Sequence, residues 1–188
     1  MGVVDWLELR ARLARLPRRA ARAPGPRRAA VLVPLLEREG RLTALFTRRP
    51  ETLRAHPGQV SFPGGGLDPG EEVVAAALRE AEEEVGLPPR VVEPLGLLHD
   101  VVVAGTGVTL TPVVGRITED VPLVLNAAEV ARAFTAPLAD LAARLELRPV
   151  EHGGRTWQVP FFEWDGETIW GATGRVVVDL LEVLELRP

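Results

Sequence analysis

Three glutamates, Glu80, Glu83 and Glu84, are the residues whose type and spacing most directly suggest chemistry. They stand at i, i+3 and i+4, neighbours on one helical face, in a segment where Val74, Leu78, Ala81 and Val85 form an apolar stripe on another face. Like charges packed this way repel, so the helix needs something positive beside it. A hard divalent cation such as Mg²⁺ suits carboxylate oxygens, although such a run also describes a solvated acidic face. Gly86 follows Val85 and predicts the helix end.

The flanks narrow the choice. Gly65, five residues, Glu71, seven residues and then Arg79-Glu80-Ala81-Glu82-Glu83-Glu84-Val85-Gly86-Leu87 resembles the Nudix box at every defined position. The resemblance implies Mg²⁺ or Mn²⁺ held by Glu80, Glu83 and Glu84, with Arg79 bracing the helix against Glu71. It also implies an α/β/α sandwich with a mixed β-sheet between helices, and hydrolysis of a nucleoside diphosphate linked to a second group. The base is Glu83 or Glu84 acting through a metal-bound water, or an acid from a distant loop. Glu129 is the outside candidate, with Glu151, His152 and Asp165 behind it. A catalytically silent binding module of the same fold is the alternative, but such modules usually lose a metal glutamate.

The stretch Leu45–Gly65 resembles the extra signature of the coenzyme A diphosphatase branch: Arg49, Arg54, Gly58 and Phe62-Pro63-Gly64-Gly65 fit, while Pro50 departs from it. Thr168-Ile169-Trp170-Gly171-Ala172-Thr173 resembles this branch too. The implied reaction cuts coenzyme A or its thioesters to a 4′-phosphopantetheine product and adenosine 3′,5′-bisphosphate. Arg48, Arg49 and Arg54 are candidate phosphate contacts, since guanidinium forks match phosphate oxygens. His56 is a candidate ligand or packing residue, and Gly65 a backbone position in the substrate loop. Trp157 and Trp164 either stack on adenine or pack. Rival substrates are ADP-ribose, NADH and dNTPs. Their usual markers are missing: Val101-Val102-Val103 stands where a proline is expected, and the chain has no tyrosine.

These residues need a scaffold. The 188 residues suit one sizeable core. Asp5 and Glu8 resemble a capping box, and Trp6, Leu9, Leu13 and Leu16 share a stripe, predicting a helix over 5–16. Residues 17–28 read as an Arg/Pro-rich surface linker, so the expected organisation is residues 1–28 as an N-terminal helix and linker and 29–188 as a single Nudix domain. Strands are expected over 29–37, 41–48, 91–104, 109–117, 128–134, 150–158 and 168–170, with helices over 137–145 and 172–186. The chain has no cysteine, so thiol chemistry and disulfides are excluded. The net charge of −4 argues against nucleic acid as a partner. No apolar run is long enough to span a membrane, and a cytoplasmic protein with a small nucleotide substrate is expected. The stripe around Trp6 is free to pack on its own domain or on a second copy in a homodimer.

Overall fold

The computed structural model describes residues 5–21, 27–53 and 55–186. Its first element is helix α1 (Trp6–Arg15), capped by the Asp5 carboxylate, which accepts the Glu8 amide at 2.9 Å. Strands β1 (Arg28–Arg38) and β2 (Arg41–Arg48) form a hairpin whose turn residues, Glu39 and Gly40, both take positive φ. Then come β3 (Val60–Ser61), β4 (Gly64–Gly66) and helix α2 (Val73–Val85). A 3₁₀ turn (Pro89–Val91) leads into β5 (Val92–Leu97), β6 (Val101–Val103) and β7 (Val108–Ile117). The chain continues through β8 (Arg132–Pro137), α3 (Leu138–Ala142), β9 (Glu146–His152), β10 (Arg155–Trp164), β11 (Glu167–Trp170) and α4 (Gly171–Val183).

One sheet runs β3-β2-β1-β7-β5, with β4 paired to β1, β6 to β7 and β8 to β2. Strands β1 and β7 are parallel and the other pairs antiparallel, so the sheet is mixed. The nearly continuous apolar run of β1 follows from burial on both faces. Val31, Val33 and Leu35 join one core with Leu9 and Leu13 of α1, Leu138 and Leu141 of α3, and Val177, Leu180 and Leu181 of α4. Ala30 and Leu32 join a second core with Ala76, Ala77, Ala81 and Val85 of α2. Helices therefore cover both faces, in an α/β/α sandwich. The fully buried alanines let α2 lie close against β1. Strands β9, β10 and β11 form a separate antiparallel sheet. No helix among the described residues is long and apolar enough to cross a membrane.

Several boundaries differ from expectation for identifiable reasons. The expected strand over 91–104 breaks into β5 and β6, because the segment between them meets the chain after α1. There the Arg19 amide donates to His99 Nδ1 at 3.0 Å, and the Asp100 amide donates to the Arg19 carbonyl at 3.0 Å. Arg18 and the Ala21 amide both bond Asp100 as well, so this part of the expected surface linker is tied to the fold. The expected strand over 128–134 begins only at Arg132. Before it, the Asn126 carbonyl accepts the Glu129 and Val130 amides and closes a turn. The expected strand over 150–158 is two strands reversing at Gly153 and Gly154, both at positive φ.

Leu9 and Leu13 are 2% and 4% exposed, and a Cβ on Gly96 would come within 2.8 Å of Leu13 Cβ. Helix α1 is thus part of the core. Leu13→Ala is expected to cost about 3 kcal/mol of unfolding free energy, read from the shift of a urea denaturation midpoint. An unshifted midpoint would place α1 outside the cooperative core.

Candidate active site

The site is built on α2. Gly86 ends this helix in the left-handed conformation, with φ 67°. Its amide bonds the Glu82 carbonyl at 2.9 Å, and the Leu87 amide reaches back to Ala81 at 3.3 Å. Two further terminal carbonyls would have no partner within the helix. A distant segment supplies them: Val124 donates its amide to the Val85 carbonyl at 3.0 Å, and Asn126 donates to Glu84 at 2.9 Å.

Arg79 organises the carboxylates. Its Nε donates to Glu71 Oε1 at 2.9 Å, and Nη2 to Glu71 Oε2 at 3.0 Å and the Gly66 carbonyl at 3.1 Å. Nη1 donates to Glu80 Oε1 at 2.9 Å and Glu83 Oε2 at 3.2 Å. A guanidinium carries five N–H groups, and each has a partner here. Glu71 also accepts the Asp68 amide at 2.9 Å. The Arg79 fork, and then that amide, hold the Glu71 carboxyl down at about 2. The bonds to Glu71, and then to Glu80, raise the Arg79 pKa further. The brace expected between Arg79 and Glu71 is therefore present as a bidentate pair.

The three glutamates differ in setting. Glu83 has a side chain 57% exposed. Glu84 is 4% exposed, and its Oε2 accepts the Gly64 amide at 3.2 Å. Burial pushes its carboxyl up to about 7, against the Gly64 bond and with added repulsion from Glu129 and Glu80. Burial likewise raises Glu80, with Arg79 opposing and Glu83 and Glu129 reinforcing. Two glycines before α2 stand where space is tight. A Cβ on Gly65 would lie 2.5 Å from the Glu80 carboxylate, and one on Gly64 would lie 2.3 Å from the Ala30 carbonyl. Among the described residues, the Gly64 amide is the one hydrogen-bond donor to the Glu84 carboxylate.

The other named residues divide. Arg49 follows β2, its amide bonded to the Gln59 carbonyl at 3.0 Å. Its charge reaches Glu84 and lowers that carboxyl's pKa. Arg48 pairs with Glu51 and, at 3.4 Å, with Glu167. His56 is exposed at positive φ in the loop before β3. Arg54 lies outside the described residues. Glu129 sits in an exposed turn, and its charge acts on Glu80 and Glu84. The remaining candidates lie elsewhere. Asp165 pairs with Arg132, and Glu151 accepts from Thr156. His152 ends β9, and Trp157 is half exposed on β10. Trp164 donates its indole N–H to the Thr135 carbonyl at 3.1 Å and packs under Arg144.

The donor set fits a hard divalent cation: carboxylate oxygens only, one on a buried and one on a half-buried chain whose charge is disfavoured, beside a glycine where a side chain would fill the space. As they stand, no three acidic or histidine groups among the described residues converge on one point. Arg79 Nη1 holds oxygens of Glu80 and Glu83 in its place.

Comparison with known proteins gives a consistent result. The family model described as the NUDIX domain matches residues 26–158. An uncharacterized Nudix hydrolase NudL of Enterobacter sp. (strain 638) is 39% identical over 168 residues, covering 86% of this chain and 85% of its own. Among solved structures, a MutT/nudix family protein from Enterococcus faecalis superposes with a TM-score of 0.56 at 14% identity, covering 98% of this chain and 81% of its own. A C. elegans Ap4A hydrolase binary complex gives 0.52 at 20% identity, covering 61% and 82%. Both structures share the fold.

The raised Glu84 carboxyl sets a pH dependence. Between the ordinary value of 4.5 and about 7, the folded chain retains a proton that the unfolded chain releases. Stability therefore falls as pH rises through that window. With a chelator present, the wild type is expected to lose on the order of 2 kcal/mol from this group between pH 4.5 and 7.5. Glu84→Gln should lack that loss, so the two denaturation curves meet near pH 4.5 and separate above it. Parallel curves would show that Glu84 is not strained by burial.

Proposed function

The chain belongs to the Nudix hydrolase family and is a hydrolase of diphosphate bonds in nucleoside diphosphate derivatives; from that premise we propose that its substrate is coenzyme A or a coenzyme A thioester. The products would be a 4′-phosphopantetheine compound and adenosine 3′,5′-bisphosphate. The observation that carries this reading is Arg49. Among the described residues its Nε is buried and has no hydrogen-bond partner. It belongs to the segment that resembles the coenzyme A branch, and its charge acts on Glu84.

An unpartnered buried guanidinium N–H is costly unless a ligand completes it. A substrate with a diphosphate and a 3′-phosphate brings several oxygens that would do so. Arg48 is already engaged by Glu51 and Glu167, so its role is to hold the strand end from which Arg49 projects. Glu80, Glu83 and Glu84 would hold Mg²⁺ or Mn²⁺, which supplies neutralisation of the diphosphate oxygens and an acidified water. Arg79 keeps the helix face in register, with Glu71 as its anchor. With the metal bound, Glu83 or Glu84 would take the proton from the attacking water.

The test is a substrate panel of coenzyme A, acetyl-coenzyme A, ADP-ribose, NADH and dNTPs with Mg²⁺ or Mn²⁺, with products identified by mass. Coenzyme A compounds should give the highest kcat/KM, and Arg49→Ala should raise their KM about tenfold. Preference for another substrate would overturn the assignment.

A further inference from the structure

Asn126 is the single asparagine in 188 residues, and it lies at the junction between the metal-site helix and the substrate strand. Its amide donates to the Glu84 carbonyl at 2.9 Å. Its side chain faces the turn that follows: Oδ1 accepts the Ala128 amide at 3.2 Å, and Nδ2 donates to Glu129 Oε1 at 3.1 Å. The turn closes on the Asn126 carbonyl, which accepts the Glu129 amide at 2.9 Å and the Val130 amide at 2.8 Å. At its far end the Ala131 amide donates to the Arg48 carbonyl at 2.8 Å. The turn is thus strung between the last turn of α2 and the residue before Arg49.

We propose that Asn126 is a positioning residue, holding the Glu129 carboxylate beside the last turn of α2, where Glu84 stands, so that the site has a fourth carboxylate. An exposed glutamate near a cluster of like charge would swing into solvent. A single donor on its own oxygen resists that, and the turn beneath it fixes the backbone. The side chain must accept from Ala128 and donate to Glu129 at once. An amide does both; aspartate lacks the donor, and serine lacks the reach. This explains why asparagine stands at 126 in a chain that otherwise does without it.

The proposal rests on the reading of this site as a metal-dependent diphosphatase, but not on coenzyme A. It is tested with the intact protein and whichever panel substrate turns over fastest, together with Mn²⁺ affinity measured by electron paramagnetic resonance. Asn126→Ser keeps an acceptor for the Ala128 amide and removes the donor to Glu129. It should lower kcat about tenfold with KM changed by less than about threefold, and weaken Mn²⁺ binding, while the melting temperature stays near that of the wild type. Glu129→Gln should show the same losses, and adding Asn126→Ser to it should cause little more, because the two act as one unit. If Asn126→Ser unfolds early, the isosteric Asn126→Asp serves in the same comparison of turnover. Wild-type turnover and Mn²⁺ affinity in either single variant, or losses that simply add in the double variant, would overturn the proposal. Failure of coenzyme A in the panel would overturn only the substrate assignment.

Discussion

Negative charge crowded on one face of α2 is the constraint from which the rest of the site follows. Glu80, Glu83 and Glu84 repel one another, and two of them are drawn out of water. Arg79 is the immediate counterweight, and every N–H it carries is used on Glu71, Glu80, Glu83 or the Gly66 carbonyl. Glu71 takes the bidentate share. That leaves Glu80 and Glu83 each with a single guanidinium contact, and Glu84 with one backbone amide. The face is held in place while its charge remains largely uncompensated. This is the condition under which a divalent cation binds with most effect.

The surrounding fold is arranged to keep that face close to the sheet. Three fully buried alanines bring α2 onto β1. Gly65 leaves room for the Glu80 carboxylate, and Gly64 lies so close to β1 that a Cβ would meet the Ala30 carbonyl. The helix end is sealed from outside, by amides of Val124 and Asn126 that satisfy the Val85 and Glu84 carbonyls. The hairpin of β1 and β2 delivers Arg49 beside the same helix, and a network of Arg48, Arg132, Glu167 and Asp165 braces that strand end. Charge, backbone approach and capping therefore converge on a few residues of α2.

Much of this was legible in the sequence because it is local. The periodicity of α2, its terminal glycine and the spacing of Glu71 from Arg79 all lie within a few turns of chain, and the structure has the helix over Val73–Val85 with that pair formed. The β1–β2 hairpin and the Asp5 cap were legible for the same reason. Features that depend on distant partners were not. Arg48 and Arg49 look alike in the sequence, yet Glu167 engages the first and Arg49 Nε is left without a partner. The apolar character of residues 128–134 suggested a strand, but Asn126 closes a turn there, tied at its two ends to the Glu84 and Arg48 carbonyls.

Anomalous diffraction from crystals soaked in Mn²⁺ tests the central claim most directly. A peak is expected about 2 Å from carboxylate oxygens of the Glu80, Glu83 and Glu84 set, with the Arg79–Glu71 pair still intact. Absence of a peak at this face in crystals of catalytically active protein, or a peak ligated by other residues, would contradict it.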